Sequence, residues 1–388
     1  MMIPPSYTLR NITNRKITSS LTIFGIALVV FVFAASQMLT NGMKETLVAT
    51  GGDDNVIMIR KASQAEMMSI INYEQGQIVS TFPEIAKASD GSPLMTNETV
   101  VLITVPTRSS GEAGNITVRG VTDKSFEIRS HVKITQGRMW TDPGSEIIAG
   151  IKIAEKFEGC GVGETVRFGA RDWTIVGVFE SEGSGFESEV WGERQQMSDA
   201  FRRPIYSSLT MKISDTIQFA SLRAKVEGDP RLPLDVKKEK QYYEDQSQIF
   251  SSFMGITGYI ISIIFSFGAI VGAMITMYAA VANRTKEIGT LRSLGFGRSA
   301  ILTSFLLEAI LISFFGGILG VVGAYLLQMV EVSTTNWSTF TDIAFKFKLN
   351  SQIAVSALVF SIVMGVVGGF LPAVRAARLK IVEALRSN

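Results

Sequence analysis

The residues able to do chemistry are few and poorly grouped. The 388-residue chain holds one histidine, His131, and one cysteine, Cys160. That excludes an internal disulfide framework and a Cys/His zinc site, and it argues against Ser-His-Asp or Cys-His nucleophilic catalysis. Gly159, Gly161 and Gly163 space like a phosphate loop, but no Gly-Lys-Ser/Thr follows, and no Gly-Lys pair exists anywhere in the sequence. The glycines read as a turn between strands. Glu180, Glu182, Glu187 and Glu189 cluster near Trp191 without the D-x-D-x-D-G spacing of a calcium loop, which reads as a solvated acidic loop. Cys160 reads as a small buried hydrophobe, and His131, in a polar stretch, as a surface residue.

Two features stand apart. Glu308 is the single charge in an otherwise apolar run from Ser299 to Val330. A carboxylate at that depth in a bilayer is costly and is a functional suspect. Its position ten residues after Arg298 favours pairing with a basic residue over proton transport, since no second carboxylate or histidine lies in the spans to form a relay. The second feature is the segment Ala282 to Arg298, ANRTKEIGTLRSLGFGR. Ile288, Leu291 and Leu294 recur at three-residue steps along one face of a short helix, Arg284, Lys286 and Glu287 fall off that face, and Gly295 and Gly297 end it. Such a helix can lie in a membrane interface or dock its apolar face in a groove on a partner.

Four apolar windows must position these groups. Charge is absent for 27 residues between Lys16 and Lys44, for 38 between Asp245 and Arg284, and for 26 from Leu349 to Val374, while Ser299 to Val330 carries Glu308 alone. A bilayer core needs roughly 20 helical residues, so each window is long enough to span once. Overall 46% of residues are hydrophobic and 19% charged, a balance poorer in charge than soluble domains show. The first window reads as a retained anchor, being longer than a signal-peptide core.

Basic residues crowd next to the windows. Arg10, Arg15 and Lys16 precede the first. Arg284, Lys286, Arg292 and Arg298 separate the second and third, against Glu287. Arg375, Arg378, Lys380 and Arg386 follow the fourth, against Glu383. By the positive-inside rule both termini and the 283–299 loop are cytoplasmic, with 44–247 and the 330–349 loop outside. The second window exceeds one bilayer thickness, and Gln246 to Gly255 reads as a projecting stalk.

The expected architecture is an α-helical membrane protein with four transmembrane helices and a large α+β periplasmic domain inserted between helices 1 and 2. The segments are a cytoplasmic amphipathic N-terminus (1–17), helix 1 (18–43), the external domain (44–247), stalk and helix 2 (248–282), a cytoplasmic loop (283–299), helix 3 (300–329), an external loop (330–349), helix 4 (350–374) and a cytoplasmic tail (375–388). Strand-like runs at Val100 to Val105, Asn115 to Val121, Thr165 to Phe168, Trp173 to Phe179 and Ser208 to Ile213, with turn residues between them, predict two lobes, the turn-rich middle being inserted. Gly268 and Gly272 in the second span, and Gly316 and Gly320 in the third, are four apart and predict close helix packing or dimerisation.

The run Asn283 to Gly320 resembles the coupling helix and third span of the MacB/FtsX/LolC permease superfamily, the type VII ABC transporters. Leu9 to Ile26 is similar to that family's amphipathic entry, Gly369 to Arg386 to its closing signature, and Val118 to Val178 to its periplasmic core domain. The resemblance implies a permease of the bacterial inner membrane that works as a dimer, with a second copy or a similar paralogue and a dimer of ATPase subunits. The short N-terminus implies that the ATPase is a separate protein, so that ATP and magnesium belong to that partner and this chain binds no cofactor. It implies no catalytic residue and no metal site here. Contacts to the ATPase would fall on Arg284, Glu287, Ile288, Leu291, Arg292, Leu294 and Gly295. ATP-driven closure would move the periplasmic domain through the stalk, a mechanotransmission serving efflux with a periplasmic adaptor. Release of lipoproteins, or control of a cell-wall hydrolase without transport, are the alternatives. Membrane lipid is an expected partner and nucleic acid is not.

Overall fold

The computed structural model describes residues 16–215, 217–336 and 339–380. Arg10, Arg15, Glu383 and Arg386, and the outer parts of the two terminal motifs, lie outside the described residues. The chain divides into two compact units: residues 42–251 with 331–345, and the remainder, which holds the apolar helices.

The helical unit is built from four helices long and apolar enough to cross a membrane. Helix α1 is Lys16–Val48. The outward faces of the four are lined by exposed Leu, Ile, Val and Phe, as lipid-facing surfaces require.

In the other unit, the sequence alternates short β-rich runs with turns. Strand β1 is Asn55–Arg60, helix α2 is Tyr73–Ser80, and strand β2 is Met95–Pro106. Then follow β3 (Ala113–Val121), α3 (Asp123–Ile128), β4 (Lys133–Gly137), β5 (Glu146–Gly150) and α4 (Ile151–Lys156). Next come β6 (Thr165–Phe168), β7 (Arg171–Glu180), β8 (Glu189–Glu193), α5 (Arg194–Ala200) and β9 (Ser208–Lys212). Helix α6 (Gln218–Gly228) and strand β10 (Leu234–Lys238) complete the run.

The strands join in the order β10-β1-β9-β2-β3-β8-β5-β7-β4, with β6 beside β7. The long strand β2 serves two lobes. Its residues Met95 to Glu98 pair with β9, and Thr99 to Pro106 pair with β3. Each lobe has its own apolar core. One gathers Val56, Met58, Leu209, Met211, Leu222 and Val236, and the other Ile116, Ile147, Phe157, Trp173, Ile175 and Val190. The second lobe is inserted between β2 and β9, the arrangement that the turn-rich middle predicts.

Helix α7 runs unbroken from Glu239 to Asn283, 45 residues or about 68 Å at 1.5 Å per residue. Helix α8 is Thr285–Ser293, α9 is Arg298–Leu326 and α10 is Ser351–Arg378. The segment between α9 and α10 is a hairpin, β11 (Glu331–Asn336) with β12 (Thr341–Lys346). Its residues 331–345 belong to the α/β unit, held there by Lys152 to Glu331 at 2.6 Å and Lys156 to Asp342 at 3.2 Å.

Candidate functional site

Helix α8 is short because it is bounded on both sides. Arg284 leaves helical geometry before it, and Gly295, at φ +96°, turns the chain after it. Ile288 is buried, packed with Met277, Val281, Ile301, Phe305, Ala373 and Ala376 of α7, α9 and α10; Leu291 packs on the same cluster. Two of the three stripe residues are therefore covered within the chain, so Ile288 and Leu291 do not offer the face to a partner that the sequence predicts, whereas Leu294 is exposed. A three-residue period marks a face that must be covered, but does not say by what.

The remaining predicted residues divide accordingly. Arg284 and Arg292 point inward: Arg292 donates to the Leu379 carbonyl at 2.7 Å. Lys286, Glu287, Thr290, Leu294 and Gly295 are exposed, Leu294 by 68%. Lys286, Thr290 and Leu294, four residues apart, form the outward stripe. Lys286 and Thr290 are absent from the contact set that the family resemblance implies.

Glu308 sits almost three turns inside α9 and is buried. The Arg284 guanidinium donates from Nη1 to its carboxylate at 2.9 Å and from Nε to Glu287 at 2.8 Å, and stacks over the Phe305 ring, 4.9 Å from its centroid. The basic partner is Arg284, 24 positions away, and not the nearer Arg298. Burial of both charges makes the pair mutually dependent, because losing one partner leaves the other uncompensated.

The four glycines expected to pack part company. A side chain at Gly316 would press on the Ile23 carbonyl and Ile26 of α1, and one at Gly320 on the Ala27 carbonyl and Val30. These two positions bring α9 and α1 together. At Gly268 and Gly272 an added Cβ meets nothing within 4 Å, so these glycines bring no described helix of this chain close. Gly317, Gly365 and Gly369 supply further close approaches, all between α9 and α10.

The α/β unit holds the largest departure from the sequence reading. Glu187 and Glu189 are buried and not solvated: Glu187 accepts from the Ser181 and Gly183 amides, while Glu189 accepts from Arg119 and from the Trp191 indole at 2.8 Å. Glu180 and Glu182 alone are exposed. Arg119 uses its fork on three carboxylates, Glu66, Glu98 and Glu189, at 2.7–2.8 Å. Arg129 bonds Glu98 and reaches Glu239, the first residue of α7, at 3.0 Å. Burial by itself would raise the pKa of Glu66, but the Arg119 guanidinium holds it below the ordinary value. His131 is half-buried, not at the surface, and stacks on Phe186; burial and Arg129 lower its pKa, keeping it neutral. Cys160 is buried as expected, its thiol pushed up to about 12 by desolvation. Gly159 and Gly163 adopt positive φ in the turn before β6. Among the described residues no group of His, Cys, Asp and Glu is arranged to hold a metal ion.

Comparison with known proteins places these parts in a family. Residues 19–228 match the MacB-like periplasmic core domain, and 259–381 match the FtsX-like permease C-terminal region. The chain is 26% identical to the uncharacterized ABC transporter permease YknZ of Bacillus subtilis, over 97% of both chains. It is 24% identical to the macrolide export ATP-binding/permease protein MacB of Vibrio parahaemolyticus, over 96% of this chain and 58% of that one. The solved periplasmic region of MacB from Actinobacillus actinomycetemcomitans is similar over 50% of this chain and 92% of that one, at 16% identity and a TM-score of 0.36. With a core-domain match over more than half of its residues and a permease match over 259–381, the chain belongs to the MacB/FtsX-like family of ABC transporter permeases and is a multi-pass membrane protein.

Proposed function

We propose that this permease couples ATP hydrolysis on a separate ABC ATPase subunit to movement of its α/β domain, and that the movement expels a substrate from the outer side of the cytoplasmic membrane. The carrying observation is the construction of α8. Its inner face is fixed to the bundle by Ile288 and by the neighbouring Arg284–Glu308 pair, while Lys286, Thr290 and Leu294 face outward. A helix so anchored moves its supporting helices when pushed. The absence of any Gly-Lys pair in the sequence supports placing ATP and magnesium on the partner. The basic flanks of the helices support cytoplasmic placement of α8, with the α/β domain outside.

The relative named for macrolide export supports efflux over other uses of the fold. In this reading the permease acts as a dimer, and an adaptor protein meets the α/β domain. The test is affinity purification of the tagged chain from its own membranes in mild detergent, followed by mass spectrometry. Recovery of an ABC ATPase, with loss of that ATPase in a Thr290→Asp/Leu294→Asp variant that still folds, is the expected result. Absence of any ATPase, or its full retention by the variant, overturns the reading.

A further inference from the structure

The buried ionic network of the α/β domain carries an unbalanced charge. Glu66, Glu98, Glu189 and Glu239 meet only two guanidiniums, Arg119 and Arg129, for a formal charge of −2. All six side chains are at least about nine-tenths buried, and among the described residues no third cation bonds to any of the four carboxylates. Such an excess in a dry interior is costly unless something positive approaches it.

A small cavity of about 50 Å³ opens beside the network. That is room for three or four waters at roughly 10–15 Å³ each, or for one small ligand. Glu66 and Glu189 contribute to its wall, with Ser188 and Thr341 adding hydroxyls. Tyr243 also lines it. Tyr243 is 95% buried by its 5% exposure, and its hydroxyl has no hydrogen-bond partner among the described residues. Leu47, Val100 and Ile343 supply apolar wall. Acceptors converge there with apolar surface and with Arg119, which is bonded to both Glu66 and Glu189, and among the described residues no ligand grouping that a metal ion needs is present.

We propose that this cavity binds a small primary ammonium group, its N–H bonds directed to the Glu66 and Glu189 carboxylates and the Tyr243 hydroxyl, and its carbon side against the apolar wall. The charge supplies the attraction, the orphan hydroxyl the third acceptor, and the size limits the ligand to a short chain. The walls come from the end of α1 (Leu47), the start of α7 (Tyr243) and the β11–β12 hairpin (Thr341), the three places where chain leaves the α/β unit. An occupant therefore touches each of them. The inference goes beyond the proposed transport function and does not depend on it.

The test uses the full chain in detergent, titrated with methylammonium chloride, with sodium chloride and tetramethylammonium chloride at equal ionic strength as controls. Thermal unfolding and calorimetry read the result. Saturable binding and a raised unfolding temperature are expected with methylammonium alone, since tetramethylammonium has no N–H to donate. Tyr243→Phe removes only the orphan hydroxyl, so the unliganded variant should unfold no lower than the parent while binding weakens roughly 5-fold, one hydrogen bond. A methylammonium response equal to that of sodium, or unchanged affinity in Tyr243→Phe, overturns the proposal.

Discussion

The Arg284 guanidinium and the Glu308 carboxylate lie 2.9 Å apart, both buried, joining the entrance of α8 to the first third of α9. Glu308→Gln keeps an acceptor for Arg284, so transport should stay within a few-fold of the parent. Glu308→Ala leaves a buried guanidinium unmatched on that side and should cost about 3–5 kcal/mol. Thermal unfolding in detergent checks this, and the double variant Arg284→Met/Glu308→Leu should unfold closer to the parent than Glu308→Ala does.

Ile288 and Leu294 differ in what they touch, so they separate folding from partner binding. Ile288→Asp places a charge inside the Met277–Phe305–Ala376 cluster. It should lower the unfolding temperature sharply, by the several kcal/mol that an unpaired buried charge costs. Leu294→Asp, on an exposed position, should leave the stability within about 0.5 kcal/mol of the parent. Equal effects at both sites would mean that the burial assigned to α8 is wrong.

The glycines of α9 and α7 make opposite predictions. Gly320→Val would drive a side chain into the Ala27 carbonyl and Val30, both 2.7 Å from the added Cβ. Overpacking of this kind costs about 1–3 kcal/mol. Gly268→Ala meets open space within the chain and should not destabilise the monomer. If α7 contacts a second copy there, the same change will instead alter the dimer-to-monomer ratio, which light scattering in detergent reports.

Acid should act on the α/β domain through Glu66. Its folded pKa lies below the ordinary 4.5 because Arg119 favours the carboxylate over the opposing cost of burial. A depressed acid contributes stability that is complete above the unfolded pKa and is lost as pH falls through the folded one. Denaturant unfolding should therefore be flat in this contribution above pH 5 and weaken below about pH 4.5. Glu66→Gln should remove that part of the slope.

Cys160 should be inert in the folded chain. It is buried, and a thiol pushed up to about 12 holds almost no thiolate at neutral pH. A maleimide at pH 7.5 should label it only after denaturation, and rapid labelling of the native chain would contradict the packing around it.

How much was legible in the sequence follows from the range of each signal. The four apolar windows and the short helix after the second are local, and they predict the four long apolar helices. The strand runs around Val118 and Ile175 are local too. The ionic network is not. Glu66, Glu98, Arg119, Arg129, Glu189 and Glu239 are scattered over more than 170 positions with no common spacing; the pairing of β2, β3 and β8 brings Glu98, Arg119 and Glu189 together, and the other three arrive from helix ends and a short turn of helix. The acidic run at 180–189 therefore reads as solvated from sequence, although Glu187 and Glu189 are buried. Ile288 shows a second limit, since periodicity identifies a face that needs covering without identifying its cover.

Helix α7 is keyed at both ends. Its first residue, Glu239, is gripped by Arg129 and Asn55, and the residue that follows its last, Arg284, is gripped by Glu308. A free helix terminus frays and absorbs a small displacement by unwinding a turn, because its end groups are unpaired. Here neither end can unwind without breaking a buried ion pair. Both terminal turns should therefore stay wound, and amide exchange in α7 should not rise toward the ends as it does in a helix with free termini.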